Sequence, residues 1–187
     1  TSISVLSGER LAVSGAFLLN GATRNRVLVF LADGSLDPGY FQENTTSIPL
    51  FAATVQSSDR LVIGGNFTLG NATSNITTTT TSAQPYRLAA TGFPDASHNS
   101  GQAGAAGGPV YSLATTASGN IVLGGDFSFY NGSSRRGVAR LTSTGALDTS
   151  FTFGLARTIL GVLVQEDGKV ITRGNSSTST EAPRTAY

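Results

Sequence analysis

A nine-residue segment at 119–127, with the sequence GNIVLGGDF, recurs along this chain and constrains its fold more than any other feature. Close copies occupy residues 8–17 and 58–67, and a degenerate copy occupies residues 167–175. Three copies end on a phenylalanine, and we predict that these side chains form an equivalent, buried core layer of the repeat: Phe17, Phe67 and Phe127. Self-similarity at a regular spacing is the signature of a protein built from tandem structural units.

The spacing of the copies divides the chain of 187 residues into units. Phe17 and Phe67 are 50 residues apart, Phe67 and Phe127 are 60 apart, and the equivalent glycines Gly125 and Gly174 are 49 apart. The period is therefore about 50 residues, with an insertion of about 10 in the second unit. We predict one repeat-built domain over residues 1–187, with units at 1–48, 49–108, 109–156 and, incomplete, 157–187.

The third unit is the most regular and predicts antiparallel strands. Residues 110–115 and 120–123 are alternating or β-branched runs joined by residues 117–119, which is typical of a hairpin. Residues 137–142 alternate as a third strand. Because no segment shows a sustained helical period, we predict an all-β fold of tandem blade-like antiparallel sheets, about three and a half units, not closed within the chain.

Each of the first three units is expected to close on a glycine- and aspartate-containing segment. In the third unit it is TGALDTSF at 144–151, its counterpart in the first unit is 33–41, and the second has a weaker match at 91–95. Two segments depart from the pattern. The insertion at 71–83 and the Gly/Ala/Ser linker at 97–109 have no apolar periodicity.

Charge and composition narrow the classes of partner. Twelve basic and eleven acidic residues leave a formal charge of +1, and charged residues make up only 12% of the chain. Nucleic-acid binding needs a clustered basic face, so no nucleic-acid partner is expected. Cysteine is absent, which excludes disulfides and thiolate metal sites. No apolar run approaches the roughly 20 residues of a membrane span, so none is expected.

Candidate catalytic and metal-binding residues are few. His98 is the only histidine and lies among loop-forming residues, which favours a solvated loop side chain over a Ser/His/Asp triad. Aspartates recur beside glycines, but none has the spacing of a calcium loop, and aspartate is the expected residue at turns: Asp33, Asp37, Asp126, Asp148 and Asp167. We therefore predict no catalytic residue, no cofactor-binding residue, no metal site and no cofactor, and the chain is not expected to be an enzyme.

Two further groups have a structural interpretation. Residues 104–108, GAAGG, lack the Lys-Ser/Thr of a phosphate-binding loop and are interpreted as a flexible linker. Four arginines fall at equivalent predicted loop positions and are interpreted as solvated edge charges that discourage sheet pairing: Arg24, Arg26, Arg135 and Arg136.

Potential glycosylation sites are enriched. Six of the ten asparagines stand in Asn-x-Ser/Thr, where about two or three are expected by chance: Asn44, Asn66, Asn71, Asn75, Asn131 and Asn175. Asn71, Asn75 and Asn131 rank ahead of Asn66, although asparagine is also favoured in left-handed turns. An uninterrupted threonine run is a candidate for O-linked glycans: Thr77, Thr78, Thr79, Thr80 and Thr81.

The motif resembles a known family. An apolar strand, a Gly-Asn turn, the Ile-Val-Leu-Gly-Gly-Asp-Phe of residues 121–127, the Val-Ala-Arg-Leu of 138–141 and the Gly-Ala-Leu-Asp-Thr-Ser-Phe of 145–151 are similar to a bacterial extracellular repeat of roughly 55–60 residues, a β-propeller-like domain of unknown function. The resemblance is strongest over residues 110–151 and weakest in the last unit. It implies blade-like sheets on large secreted proteins and no catalytic residues.

We therefore expect a structural or adhesive protein of the cell surface or extracellular space. It would be glycosylated and would either form part of a longer surface protein or assemble head to tail into a filament, so its expected partners are copies of itself or further repeats. The alternative is a propeller-like binding module that recognises a carbohydrate or a peptide, and an enzyme ranks third. A lectin-like site would need clustered exposed aromatic residues, and the chain has no Trp and five scattered Tyr.

Overall fold

The chain forms a series of small antiparallel sheets in a computed structural model that describes residues 2–19, 22–40, 50–65, 82–83, 86–93, 95, 97–99, 104–154 and 158–175, with the backbone alone for 16–19, 22–26 and 82–83. Its strands, in chain order, are β1 (Ser2–Val5), β2 (Leu11–Leu19), β3 (Ala22–Phe30), β4 (Leu50–Gln56), β5 (Arg60–Gly65), β6 (Ser82–Ala83), β7 (Tyr86–Leu88), β8 (Ala105–Ala106), β9 (Val110–Thr115), β10 (Ile121–Gly125), β11 (Phe129–Tyr130), β12 (Ser133–Ser134), β13 (Val138–Leu141), β14 (Ile159–Val164) and β15 (Val170–Gly174). Single 3₁₀ turns, Ser7–Glu9 and Ser57–Asp59, join β1 to β2 and β4 to β5.

Four sheets follow one another along the chain. The first has the strand order β1-β2-β3, the second β4-β5-β7 and the third β9-β10-β13, and the described part of the fourth is β14-β15. All of these pairs are antiparallel, and none of the described sheets closes on itself. The predicted all-β fold of unclosed tandem sheets is confirmed.

Successive sheets pack face to face. An internal sheet contacts a neighbour on each side, because alternate residues of a strand point to opposite faces. In the third sheet, Leu113 faces the second sheet, and Ser112 faces the fourth, where its hydroxyl accepts a hydrogen bond from the Val162 amide at 3.0 Å. Within the described part of the chain, three clusters of buried apolar side chains are found, of which one joins Val62 of the second sheet to Leu113 of the third. The core is therefore divided into layers between neighbouring sheets.

Glycines set the distance between these sheets. A Cβ atom on Gly64 would lie 2.8 Å from Val110 Cγ1, and one on Gly124 would lie 2.7 Å from Val162 Cγ1. In both cases the glycine is in the middle strand of its sheet and the neighbouring side chain is in the first strand of the next. A side chain at either position would push the sheets apart, which explains why the repeat motif needs the first of its paired glycines.

Three closing turns share one geometry. The amides of Asp37, Asp95 and Asp148 donate to the carbonyls of the third strand, at 2.8 to 2.9 Å. Each aspartate side chain accepts from the amide two residues later, at 2.8 to 3.0 Å. Asp33 and Asp167 make the same side-chain contact to the second amide after them. The interpretation of these aspartates as turn residues is confirmed, whereas Asp126 is exposed and accepts from the Thr158 hydroxyl at 2.7 Å.

The prediction of a flexible linker at 104–108, within the linker assigned to 97–109, is wrong. Ala105 and Ala106 form β8, the centre of a small sheet with the order β12-β11-β8-β6, and Ala105 is fully buried. A Cβ atom on Gly108 would lie 2.3 Å from the carbonyl oxygen of Asp126. Small residues occur here because backbones approach closely, which composition alone cannot distinguish from flexibility.

The arginine prediction is wrong for Arg24 and Arg26, because both lie within β3 and not in a loop. They do belong to an edge strand, since β3 pairs only with β2 among the described residues. Arg136 is exposed, and Arg135 is half-buried with Nη1 donating to the Ser134 carbonyl at 2.8 Å.

Phe127 is 2% exposed and packs with Val110, Leu113 and Tyr130 in the largest cluster. Phe67 and the side chain of Phe17 lie outside the described residues, so the shared register of the three phenylalanines stays a prediction.

Candidate functional site

A polar groove opens where the closing turns of the second and third units meet the β11–β12 hairpin. Its volume is about 440 Å³, and its lining consists of uncharged side chains: Ser97, Asn99, Asn131, Ser133, Thr144, Ala146, Leu147 and Thr149. Six of the eight lining residues carry a hydroxyl or an amide group, and none of the eight is ionisable. The groove therefore offers hydrogen-bond donors and acceptors without charge, which suits an uncharged polar ligand.

Two asparagines in left-handed turns build one wall of the groove. Asn99 has φ +50° and Asn131 has φ +47°, a conformation that asparagine tolerates better than most residues. The Asn131 side chain accepts from the Gly104 amide at 2.7 Å and donates through Nδ2 to Asn99 Oδ1 at 3.0 Å. Asn99 Nδ2 is buried without a hydrogen-bond partner among the described residues. These amides therefore tie the small β8-containing sheet to the closing turn of the second unit.

The prediction that His98 is a solvated loop residue is wrong. His98 is 8% exposed, and neither ring nitrogen has a hydrogen-bond partner among the described residues. It stands three residues after Asp95, as Tyr40 stands after Asp37 and Phe151 after Asp148, and those two aromatic residues are 3% and 1% exposed. His98 therefore occupies the buried aromatic position of the closing turn.

This equivalence was visible in the sequence. The segments DGSLDPGY, TGFPDASH and TGALDTSF align without a gap, so the second-unit match extends beyond 91–95 to His98. Histidine in place of Phe or Tyr hid the alignment. The ring packs against Gly145, where an added Cβ would lie 2.9 Å from Nε2.

Burial is the main reason that the pKa of His98 is lowered, from 6.5 to about 4. The positive charge of Arg87 lowers it further, and the charge of Asp95 opposes the shift. The imidazole is consequently neutral near pH 7. It lies beside the groove but is not among the residues that line it, and these include no histidine or carboxylate.

Beneath His98, Arg87 links the second and third sheets. Its guanidinium donates to Asp95 Oδ2 at 2.9 Å, to Gln56 Oε1 at 3.2 Å and to the Ser143 carbonyl at 2.7 Å. Burial opposes ionisation of Asp95, but hydrogen bonds from Ser97 and the charge of Arg87 outweigh it and lower the pKa of Asp95. Arg87 is 5% exposed, so its charge is neutralised and hydrogen-bonded inside the stack.

In the third unit the equivalent pair is Arg140 and Asp148, with Nε to Oδ2 at 2.7 Å. The hydrogen bond from the Ser150 hydroxyl is the largest cause of the lowered pKa of Asp148, ahead of the Arg140 contacts. The Arg140 guanidinium also lies 4.7 Å from the ring centre of Phe151. The same Arg–Asp pair thus occurs at equivalent positions of two units, which indicates a structural role.

The two outermost sheets expose apolar faces. On the first sheet, Ile3 and Val5 are 67% and 69% exposed, and on the fourth, Leu163 and Ile171 are 56% and 51% exposed. Leu163 and Ile171 are directly paired across β14 and β15, and Val5 is paired with Leu11, which is also exposed. Each terminal sheet therefore presents a contiguous apolar patch, the kind of surface that marks an interaction site.

Most of the glycosylation candidates fall outside the described residues: Asn44, Asn66, Asn71, Asn75 and the threonine run 77–81. Asn175 is exposed, and its backbone amide donates to the Thr158 carbonyl at 3.1 Å. Asn131 is half-buried and holds the two side-chain hydrogen bonds given above. Occupancy of all these sites stays a prediction.

Within the described residues, no helix is long and apolar enough to cross a membrane. The same part of the chain contains no group of three or more His, Cys, Asp or Glu side chains that could hold a metal ion.

Face-to-face antiparallel sheets with one repeated register define the class of this protein, which is β-propeller-like. The family described as "Domain of unknown function (DUF5122) beta-propeller" matches the chain over residues 10–40 and 116–151. These stretches hold the middle and third strands and the closing turns of the first and third units. A comparison with curated proteins finds no match.

Proposed function

We propose that the chain is a structural module of an extracellular repeat protein and that it extends by adding sheets to the faces of its terminal sheets. The apolar patches on the first and fourth sheets are the observation that carries this proposal. Internal sheets bury the same positions: Leu61 and Ile121, the equivalents of Leu11, are fully buried, whereas Leu11 is 40% exposed. The outer face of the first sheet therefore has the apolar character of an internal face but is not covered at this position.

Covering these faces is energetically favourable. Burying an exposed aliphatic side chain contributes about 1.5–3 kcal/mol, and each patch holds at least two such side chains. In a repeat protein, stability comes mainly from contacts between neighbouring units. The cover can be further sheets of a longer surface protein or the end of a neighbouring copy, and the second arrangement would produce a head-to-tail filament.

The location outside the cell rests on the surface composition. With charged residues at 12%, the chain must be kept soluble by other groups, and 22 Ser and 24 Thr together with six sequons supply sites for hydroxyl hydration and glycans. Asn175, the asparagine of one of these sequons, is exposed.

Sedimentation combined with amide hydrogen exchange tests the stacking role. In the isolated chain we expect β1 and β15 to exchange faster than β10, because their outer faces are uncovered, and we expect protection of at least one terminal sheet in the natural material. A dilution-stable 19.1 kDa monomer with slow exchange in both terminal sheets would show that neither face needs a cover.

The polar groove supports a second function, that of a binding module for an uncharged carbohydrate or peptide. Ser133 is exposed on its rim, so Ser133→Tyr should fill the groove and abolish binding in a screen of neutral oligosaccharides and peptides. Ser118→Tyr, at another exposed site, is the matched control. No binding by the unaltered chain, or equal binding by both variants, would contradict this function.

A further inference from the structure

One position of the repeat decides whether a sheet accepts a neighbour on its far face. It immediately precedes the last glycine of the motif, and it pairs with the first strand at Ser2, Ala52, Ser112 and Gly161 in the four sheets. The residues at this position are Ser14, Gly64, Gly124 and Arg173.

In the first three sheets this residue is small and covered. Ser14 is 1% exposed, and Gly64 and Gly124 are buried. A Cβ atom added to Gly64 would lie 2.8 Å from Val110 and 3.2 Å from Leu113, both in the third sheet. A Cβ atom added to Gly124 would lie 2.7 Å from both Ile159 and Val162 of the fourth sheet. Close approach of the next sheet therefore depends on the small size of this residue.

In the fourth sheet this position holds Arg173, which is neither small nor covered. Its side chain shares the outer face with Leu163 and Ile171, because paired and alternate residues point the same way. The contact of Gly161 confirms this side, since a Cβ there would lie 3.7 Å from Arg173 Cβ and 3.8 Å from its Nε. Arg173 is exposed and stands where an incoming strand would lie in the internal geometry.

The outer face of the first sheet resembles the faces that pack onto Gly64 and Gly124 in the internal contacts. Ile3 holds the register position of Leu113 and Val162, the two residues that pack onto Gly64 and Gly124. Val5, Leu11 and Val13 share its face, and β3 adds Leu28 and Phe30 opposite Val13 and Leu11, so the described side chains there are apolar. None of these described side chains is a carboxylate that could pair with a guanidinium, and burying an unpaired charge against this face would be costly.

We infer that the outer face of the first sheet docks onto a sheet of this same repeat that carries glycine or serine at the position of Gly64, and that Arg173 prevents the fourth sheet of another copy from being that partner. The inference rests on the proposed stacking function and decides between its two forms. It favours a further sheet of the repeat over a head-to-tail filament of identical chains.

Substituting Arg173 in the full chain tests this directly. Arg173→Gly restores the Gly-Gly pair of the motif, and Arg173→Ser reproduces the residue of the first sheet. We expect both variants to self-associate, with a weight-average sedimentation coefficient that rises over a roughly hundredfold range of concentration, while the unaltered chain stays monomeric. Arg173→Lys keeps a long cation and should behave as the unaltered chain does.

A second substitution identifies the surface. Ile3→Glu in the Arg173→Gly background should return the protein to a monomer, because it places a charge on the docking face, whereas Ser118→Glu on an exposed turn should leave the association intact. Circular dichroism verifies the fold of each variant, and Arg173→Ser stands in if Arg173→Gly does not fold.

Three results would overturn the inference. They are monomeric behaviour of both folded small-residue variants, an association that Ile3→Glu leaves unchanged, and self-association of the unaltered chain that Ile3→Glu abolishes. The last would support a head-to-tail filament and so keep the stacking function. Slow exchange in both terminal sheets of a stable monomer is the separate result that would remove the stacking function itself.

Discussion

At the scale of single residues, the buried positions of the closing turns show how a repeat tolerates substitution. Tyr40, His98 and Phe151 are all buried, yet only the last is fully apolar. Burial raises the pKa of Tyr40 and lowers that of His98, so in both cases the neutral form is retained. The position holds a flat, uncharged ring in each of these three units, and the histidine ring is uncharged only while it is unprotonated.

His98 should therefore make stability depend on pH. The pKa of His98 is about 4 in the folded chain, whereas the ordinary value of 6.5 applies to the unfolded chain. The unfolded chain therefore takes up a proton first as the pH falls. Stability is unaffected by this group above pH 6.5 and decreases between pH 6.5 and about 4. We expect a loss of about 2–3 kcal/mol in the free energy of unfolding across this window, at 1.36 kcal/mol per pKa unit.

His98→Phe places the residue of the third unit at this position and should flatten that part of the pH profile, with His98→Gln as a second variant that does not titrate. Urea titrations at pH 7 and pH 4.5 measure the difference. The attribution to His98 would be wrong if both variants lost as much stability as the unaltered chain.

Phe127 offers a test of the core layer. Because it is 2% exposed among Val110, Leu113 and Tyr130, Phe127→Ala should lower the free energy of unfolding by about 3–5 kcal/mol. Phe129, two residues on, is 47% exposed, so Phe129→Ala should cost less than about 1 kcal/mol. Equal losses for the two variants in denaturant titration would show that Phe127 is not a packing residue.

At the scale of the elements, the middle strand of each sheet carries the contact between units. β10 is buried along its whole length, and its first glycine admits the side chains of β14. Hydrogen bonds also join neighbouring sheets, such as the one between the Thr54 and Thr115 hydroxyls at 2.8 Å. The distance between sheets is thus set by packing volume, and its sensitivity can be measured.

Gly124→Ala should destabilise the chain by about 1–3 kcal/mol through overpacking, because the new methyl group would stand 2.7 Å from Ile159 and Val162. Gly161→Ala is the matched control: it also adds a methyl group to a strand, but the nearest atom would be 3.7 Å away, at ordinary contact distance. Thermal unfolding of both variants separates the effects. The same loss at both sites would assign it to strand propensity and not to the distance between sheets.

At the scale of the whole molecule, the described sheets form an open series with different ends. The first sheet presents an apolar face, and the fourth presents Leu163 and Ile171 beside the exposed Arg173. This asymmetry gives the stack a direction. Glycans, if present, must leave both faces uncovered in order to allow further sheets to dock.

We therefore expect glycans on the insertion and away from the docking faces. Peptide mapping of natural material before and after glycosidase treatment should find modification at Asn71, Asn75 or within the threonine run 77–81. Unmodified peptides at all of these positions would contradict the prediction. The half-buried Asn131 serves as an internal comparison, since its side chain already makes two hydrogen bonds.

The sequence alone determined the repeat, the all-β class and most of the strands. Glycine-bounded apolar runs encode hairpins locally, so residues 110–115 were predicted with the bounds that β9 has. The turn role of the aspartates was equally predictable, because an aspartate side chain bonds an amide only two residues away. These features depend on neighbours along the chain, and local sequence carries them.

Only the tertiary structure decided the strand at Ala105–Ala106, the groove between the closing turns and the exposure of the terminal faces. Each depends on which segments distant in sequence come together. A glycine or alanine can be flexible, or it can be small because another backbone lies against it, and an arginine can be solvated or can block a docking face. The sequence shows the same residue in either case, and only the distance to a neighbouring sheet distinguishes the two roles.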